Sequence, residues 1–476
     1  MLKDLEEHSV NEDIIAGTVT NVIAVADDVA PCAVADNPRD VIHRMQILLN
    51  IVEVHGVQNH MEFGKDKCEL LIAARPAKLR AVEELLKNEP EILTFFGFPV
   101  NQVKDFYTHI GVLQSPRNQS RNAIDYRITK GHNITYKLQS STQNTLCGVS
   151  PISNRKMFLS YHQPSFLYGL DTMPISVTDM ARLETKYRQV LKNMMSMPDG
   201  ISSPLVYLTM GILPATAQRD LEIMGLMGQL ALCQDDDQNV RKIVGHNLTF
   251  FDDKFGGWSG LVRKTAKLYD LPDPLLYMLN PWRPDRWRSH CREVITSYWD
   301  DKLKNQLKND DGSEKSLSIY VDLESVTTSM PMRIWQHAGL NAHSVKEATP
   351  ASWMYCGAYF TRELLEKMKK VKSSACACDP TISEDLPHFI LHCTLYDSIR
   401  EQYIPQYIAL NRNVLSICDN QLLVVVSILD PLSSKLPEVI TKNWSSVSSV
   451  FELSRKFIYR MHLKREKIYK ELDDIK

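Results

Sequence analysis

Two adjacent aspartates, Asp27 and Asp28, stand between two apolar runs near the start of the chain, and this arrangement constrains the local fold strongly. The run before them, GTVTNVIAV, is rich in β-branched residues, and VAPCAVA resumes the apolar pattern after them. Two such runs joined by a short polar link predict a β-hairpin. The pair alone does not separate a metal-binding carboxylate site from an ordinary turn, because adjacent aspartates occur elsewhere in the chain.

The segment after this hairpin has the features of a helix. Asn37 can cap its first turn, Pro38 suits the first helical position and Gly56 supplies a stop. Apolar residues recur at three- and four-residue spacing between positions 41 and 52, which predicts one buried face. Three further elements are predicted after it, namely a strand at 68–74, a helix at 76–88 and an aromatic-rich hairpin at 92–113.

The rest of the chain is predicted to be mainly helical. Apolar periodicity, with loops marked by Pro and Gly, predicts helices at 124–139, 154–169, 179–195, 214–232, 259–269 and 447–472. The polar stretches at 114–122 and 308–316 mark boundaries between domains. At 476 residues the chain is long enough for two to four domains of about 100 to 200 residues each.

Charge and hydropathy exclude some classes of protein. Lys and Arg total 55 against 57 Asp and Glu, so no global positive field draws the whole chain onto nucleic acid, and any such surface must be local. No apolar run approaches the roughly 20 residues of a membrane helix, and the acidic N-terminus lacks the apolar segment of a signal peptide. We therefore expect an intracellular protein that does not enter a membrane.

Cysteine and histidine cluster at one place. The spacing is Cys376-x-Cys378-x9-His388-x4-Cys393. In a reducing compartment such a cluster indicates a metal before a disulfide, and three thiolates with one imidazole can form a tetrahedral Zn²⁺ site. The alternatives are two buried thiols beside an unrelated histidine, or a site that uses His392 instead.

Arginine and tryptophan alternate between residues 280 and 299. Such interleaving suits phosphate contact and base stacking, and the candidates for nucleic-acid contact are Arg283, Arg286, Trp287 and Arg288. The alternative is a helix anchored by its tryptophans, with the arginines in water. The basic run at 455–470 predicts an amphipathic helix docked on the body with an exposed basic face, or an arm that contacts RNA.

The order of these features resembles the later palm motifs of a non-LTR (LINE-type) retrotransposon reverse transcriptase. The hairpin holds Ala-Asp-Asp, although Val25 stands where the family has an aromatic residue, and a capped helix follows it. Gly56, Lys67 and Glu69 match the next block, and FYTHIGV (106–112) is similar to the hairpin that grips the primer strand. Later helical blocks and the Cys/His cluster, which is similar to the family's zinc knuckle, extend the resemblance along nearly the whole chain.

This resemblance implies an α+β fold: a partial reverse-transcriptase palm of β-hairpins and helices, a mostly α-helical thumb and connection, and a small zinc-knuckle-like element. The implied segments are the end of the palm at 1–113, the thumb and connection at 114–307, the zinc-knuckle-like region at 317–420 and a helical basic tail at 421–476. The implied partners are RNA or an RNA:DNA hybrid and other copies of the element-encoded protein, in cytoplasm and nucleus.

The resemblance also assigns roles to residues. Asp27 and Asp28 would bind Mg²⁺, and Lys67 would lie near the incoming nucleotide. Phe106, Tyr107 and Gly111 would contact nucleic acid, and Cys376, Cys378, His388 and Cys393 would hold a structural Zn²⁺.

Polymerases of this class hold two metal ions with carboxylates from separate strands. The family's other essential aspartate lies on an earlier strand, upstream of anything in this sequence. We therefore expect this chain alone to be an inactive portion of an RNA-directed DNA polymerase that can still bind RNA. The alternatives are an active polymerase and endonuclease whose N-terminal part is missing from the gene model, and a non-catalytic interaction protein.

Overall fold

A computed structural model describes residues 21–25, 28–64, 68–103, 105–117, 119–139, 144–233, 238–250 and 257–473. The chain divides into two compact units, Met1–Ala123 and Ile124–Lys476. The palm, thumb and connection, zinc-knuckle-like and tail segments predicted at 1–113, 114–307, 317–420 and 421–476 remain a prediction, because a division into two compact units does not identify these domains.

The first unit combines short strands with two long helices. Its strands are β1 (Asn21–Val25), β2 (Asp28–Cys32), β3 (Glu69–Leu70), β4 (Thr94–Phe95), β5 (Phe98–Pro99), β6 (Asn101–Gln102), β7 (Tyr107–His109) and β8 (Val112–Gln114). Its helices are α1 (Pro38–Gln58) and α2 (Pro76–Asn88). In the described part of the chain these strands pair two by two, β3 with β6 in parallel and the others as antiparallel hairpins β1–β2, β4–β5 and β7–β8.

The predicted hairpin and helix at the start of this unit are present. In β1–β2, Val25 pairs with Asp28. The Asn37 side chain caps α1 by accepting a hydrogen bond from the Arg39 backbone N–H, as its residue type predicts. The stop predicted at Gly56 was wrong, because α1 continues to Gln58. Gly56 instead is buried, and a side chain there would meet the Phe63 ring.

Two other sequence predictions need correction. The strand predicted at 68–74 is ordered as a strand only at Glu69–Leu70. The single hairpin predicted at 92–113 is two hairpins, because the chain turns once at Phe96–Gly97 and again at Ile110–Gly111, each with positive φ. Between these turns, β6 pairs in parallel with β3 and belongs to neither hairpin. Short strands around tight turns carry little periodicity, so the sequence did not separate them.

The second unit is helical. Its helices are α3 (Gln119–Gln139, which begins just before the boundary), α4 (Pro151–Met157), α5 (Gln163–Leu167), α6 (Val177–Met194), α7 (Ser203–Met210), α8 (Ala215–Leu230), α9 (Gln238–Phe250), α10 (Trp258–Leu268), α11 (Pro274–Leu279), α12 (Pro284–Asn305), α13 (Arg333–Ala338), α14 (Ala342–Tyr355), α15 (Arg362–Lys367), α16 (Asp397–Leu410), α17 (Gln421–Leu429), α18 (Glu438–Thr441) and α19 (Val447–Asp473). Single π-helical turns follow α4, at Phe158–His162, and precede α16, at His388–His392. The six helices predicted from sequence are present with ends shifted by a few residues, except that the helix predicted at 154–169 is broken by the first π turn.

Close helix packing in this unit depends on small residues. Gly228 of α8 lies against the Trp287 indole of α12, where an added Cβ would be 2.2 Å from the ring. The indole Nε1 donates to the Met224 carbonyl at 2.8 Å, so its one polar atom is satisfied in the core. The two helices therefore meet around a fixed tryptophan.

The fold as described is mainly helical, with its strands confined to small sheets, which agrees with an α+β class at this coarse level. Within the described residues, no helix combines the length and the apolar character needed to cross a membrane.

Gly211 provides a test of the packing in the second unit. It ends α7 with φ +68°, and an added Cβ would lie 2.1 Å from the Met330 backbone carbon. Gly211→Ala should destabilise the protein by about 2–5 kcal/mol, from left-handed strain plus overlap with a backbone that cannot rotate away. Thermal unfolding followed by circular dichroism measures the change.

Gly225→Ala is the matched control. Gly225 lies inside α8 with open space around its Cα, so alanine there should be neutral or stabilise by up to about 1 kcal/mol. Equal unfolding temperatures for the two variants would contradict the close contact between Gly211 and the Met330 backbone.

Candidate metal centre

The side chains of Cys376, Cys378, His388 and Cys393 converge. One donor atom from each lies within 4.8 Å of the others, and among the described residues this is the one such group that could hold a metal ion. The Cys376 and Cys393 sulfurs are 3.6 Å apart, and the Cys378 sulfur is 3.3 Å from His388 Nε2. The structure thus brings together all four residues that the sequence predicted, while His392 is not part of the group.

A short antiparallel pairing positions the first two cysteines. The Cys376 N–H donates to the Ile382 carbonyl at 2.7 Å, and the Glu384 N–H donates to the Ser374 carbonyl at 2.8 Å. Asp379 closes the turn between these strands, because its carboxylate accepts from the Thr381 backbone N–H and hydroxyl. Cys376 and Cys378, two residues apart along this extended arm, therefore present their sulfurs to the same cluster.

A π turn positions the other two ligands. The Asp385 carboxylate accepts from the His388 N–H at 2.7 Å and so caps this turn, whose residues are His388–His392. The Cys393 N–H then donates back to the His388 carbonyl at 2.8 Å. An i→i+5 turn is wider than an α-helical one, and residues five apart consequently face the same side. Arg400 fixes the far end by donating to the Cys393 carbonyl.

The contact between Cys376 and Cys393 shifts the pKa values of the two thiols in opposite directions. Cys376 and Cys393 are buried, whereas Cys378 and His388 are half-buried. A hydrogen bond from the Cys393 thiol lowers the pKa of the Cys376 thiol to about 5, and the same contact raises the pKa of Cys393. A thiolate of lowered pKa beside a second thiol is a donor pair from which a metal ion can displace the proton.

The separation of the Cys376 and Cys393 sulfurs fits two ligands of a tetrahedral metal site. With Zn–S bonds of about 2.3 Å, two sulfur ligands of a tetrahedral site lie about 3.8 Å apart, close to the observed 3.6 Å. A disulfide would need about 2.05 Å between the same sulfurs, so these cysteines are free thiols.

A buried ion pair joins the metal-binding segment to the C-terminal helix. Glu384 lies between the second and third ligands, and its carboxylate is 1% exposed. Arg465 of α19, 5% exposed, donates to it twice, from Nε at 3.0 Å and from Nη2 at 2.8 Å. The Arg362 backbone N–H, at the start of α15, supplies a third hydrogen bond at 2.9 Å. Two hydrogen bonds from the Arg465 guanidinium and one from the Arg362 backbone amide therefore replace the hydrogen bonds that water would make to this carboxylate.

Aromatic rings surround the Arg465 guanidinium. Its central carbon lies 4.6 Å from the Tyr469 ring centroid, and the rings of Tyr359, Phe360 and Phe389 lie between 5.4 and 6.0 Å. Phe389 itself belongs to the π turn between His388 and Cys393. The cation therefore packs on the same turn that carries two of the ligands. Sequence reasoning missed Arg465, since nothing in the pattern of a basic helix marks which cation is buried.

Two predicted catalytic positions lie outside the described side chains. Asp27 and Lys67 are not among the described residues, and only the backbone of Asp28 is described, in β2. Mg²⁺ binding by Asp27 and Asp28 remains a prediction.

The predicted primer-contacting residues lie on the β7–β8 hairpin. Phe106 is 55% exposed just before β7, and Tyr107 stacks on His109 with ring centroids 6.3 Å apart. Gly111, with φ +73°, closes the turn. These residues belong to one surface hairpin of the first unit, and contact with nucleic acid remains a prediction.

The arginine–tryptophan segment divides between surface and core. Arg283, Arg286 and Arg288 are exposed at the start of α12, and Arg286 lies 4.8 Å over the Trp282 ring. Trp287 is only 1% exposed and leaves no ring face for a base. Its predicted stacking role is therefore corrected: this tryptophan anchors the helix, as the alternative interpretation of the segment had it.

Known proteins add no identification. Comparisons with protein-family models, with curated proteins and with solved structures find no match.

The buried ion pair generates a prediction. Glu384→Ala leaves Arg465 buried without its partner, which should cost about 3–5 kcal/mol and loosen α19. Hydrogen exchange of the α19 amides, measured by mass spectrometry, should rise, and the unfolding temperature should fall.

Glu452→Ala is the control on the same helix. It removes an exposed ion pair with Lys456 and should cost less than about 1 kcal/mol. Similar hydrogen exchange in the two variants would show that Glu384 does not hold α19 in place.

Proposed function

We propose that this chain is a nucleic-acid-binding protein related to non-LTR reverse transcriptases, with a structural Zn²⁺ held by Cys376, Cys378, His388 and Cys393. The convergence of these four donors within 4.8 Å carries the metal part of the proposal. The order of sequence motifs supports the relationship, and RNA or an RNA:DNA hybrid is the expected partner.

The proposed zinc is structural because the protein supplies the complete donor set. Catalytic zinc sites use three protein ligands and keep the fourth position for water or substrate, whereas closed sites with four protein ligands stabilise a fold. Here Cys376 and Cys378 lie on the extended arm, and His388 and Cys393 lie at the start and just after the end of the π turn. When bound, the metal supplies a cross-link between these two segments.

Nucleic-acid binding rests on the resemblance and on exposed cationic side chains. Arg283, Arg286 and Arg288 face solvent at one end of α12, where they can contact phosphate. The chain's net charge of −2 requires such contacts to be local. Polymerase chemistry at Asp27 and Asp28 rests on the resemblance alone.

Metal content tests the zinc site. The purified protein should contain one zinc per chain by mass spectrometry of the metal, and Cys378→Ser should lower this content because it removes one thiolate.

Cys418→Ser is the matched control, because Cys418 is an exposed cysteine outside the cluster. Equal zinc in wild type and Cys378→Ser would remove Cys378 from the site, and an equal fall in zinc in both variants would place the metal elsewhere.

Salt-dependent binding tests the nucleic-acid part. Fluorescence anisotropy with a labelled single-stranded RNA should give an affinity that falls steeply between low and high KCl, because binding releases counterions from phosphates. Affinity that is absent, or unchanged across this range, would contradict the proposal and favour a protein-interaction role.

A further inference from the structure

A cluster of lysines directly precedes the metal-binding segment. Residues 367–372 hold Lys367, Lys369, Lys370 and Lys372 and no carboxylate. All four are exposed, and Lys367 pairs with Glu363 on its own helix at 2.6 Å. This stretch, which we call the lysine loop, begins at the last residue of α15 and leads to Cys376.

The C-terminal helix presents a second row of cations. Arg460, Lys464, Lys467 and Lys470 follow one another at spacings of four, three and three residues, which places them on one face of α19. Phe457, Ile458 and Met461 of the same helix are buried, and Ile458 lies on the side opposite Arg460. The helix is therefore docked on the body through its apolar side, as the sequence predicted. Its exposed residues include Arg460, Lys467 and Lys470 together with Glu452 and Glu466, whereas Lys464 is half-buried with its amine 3.5 Å from the Ser398 hydroxyl.

Contacts at Tyr469 bring the two rows together. The Tyr469 ring lies 5.6 Å from the Arg362 guanidinium at the start of α15, and its hydroxyl lies beside the Ala377 backbone. Lys470 follows Tyr469 directly, whereas Lys467, two residues before Tyr469, projects from a different side of the helix. Lys367 is five residues after Arg362 in the same helix, so the two Cα atoms are about 8 Å apart along the axis. Lys372 is five residues before Ala377, so their Cα atoms are at most about 18 Å apart even if the chain between them is fully extended. The two ends of the lysine loop are thus tethered near Tyr469, at the C-terminal end of α19.

We propose that the lysine loop and the outward face of α19 form one composite surface that binds the phosphate backbone of nucleic acid. This inference rests on the proposed nucleic-acid binding and adds to the arginines of α12 a second surface that contributes to it. Of the seven Lys or Arg in residues 455–470, Arg465 is buried against Glu384 and Arg455 pairs with Glu347. Lys456, Arg460, Lys467 and Lys470 are exposed and Lys464 is half-buried, so the positive charge offered to solvent by this helix comes from these side chains. Phosphates attract such a surface without sequence selectivity.

An anionic membrane is the other polyanion that lysines attract, but the packing of α19 argues against it. Interfacial helices insert an apolar face between lipids. In α19 the apolar face is buried against the protein, with Ile458 and Met461 fully covered. A surface that offers charge with its apolar side already occupied fits a phosphate backbone better than a bilayer.

Two double charge reversals test the composite surface. Lys370→Glu with Lys372→Glu alters the loop, and Lys467→Glu with Lys470→Glu alters the helix. Each pair should weaken binding of a labelled single-stranded RNA at least tenfold in 0.1 M KCl. Each should also reduce the slope of log affinity against log salt by about 1 for every phosphate that the variant no longer binds.

Lys346→Glu with Lys442→Glu is the control of equal charge, because both lysines are exposed, one in α14 and the other directly after α18. It should change affinity less than about threefold. Unfolding temperature and zinc content should match wild type in all three variants, which separates a weakened binding surface from a damaged fold.

The possible results point to different conclusions. Wild-type binding that survives both reversals would overturn this surface while leaving the proposed function intact, and a loss of affinity confined to one pair would overturn its composite nature. If the wild-type protein does not bind RNA, the proposed function itself is contradicted. Lysine-dependent binding to phosphatidylserine vesicles in place of RNA would assign the surface to membranes and overturn the proposal.

Discussion

The buried pair between Glu384 and Arg465 is the interaction on which the C-terminal half of this molecule depends. A carboxylate and a guanidinium that are both removed from water are tolerated only when their hydrogen bonds are complete, and here the Arg362 amide completes them. The pair fixes α19 against the segment that carries the metal ligands. Because Phe389 of the same segment packs against the guanidinium, the geometry of the ligands and the position of the helix depend on each other.

This dependence connects a small metal centre to a large surface. The four candidate ligands lie within a stretch of 18 residues, in which Phe389 and Ile390 of the π turn are fully buried. Through Glu384, the same stretch positions α19, whose outward face carries Arg460, Lys467 and Lys470. A metal ion bound at this cluster would therefore act on α19 through Glu384 and Arg465.

Local patterns predicted local structure well. Asn37 and Pro38 marked the start of α1, and the ligand spacing was enough to identify the four side chains that converge. Features that depend on tertiary contact were not predictable in the same way. From the sequence Trp287 was a candidate for base stacking, but its side chain is buried in the core. Arg465 could not be distinguished in the sequence from the surface cations around it, although it is buried. The two hairpins between 92 and 113 also escaped prediction, because their register depends on positive-φ turns and on a parallel partner at β3.

The central claim is that three sulfurs and one imidazole bind one zinc ion. X-ray absorption at the zinc edge of the purified protein measures those ligands directly. We expect a first shell of three sulfurs at about 2.3 Å and one nitrogen at about 2.0–2.1 Å, with no open position for water. A shell of oxygen and nitrogen alone, or fewer than three sulfurs, would contradict the site and with it the structural role assigned to the metal.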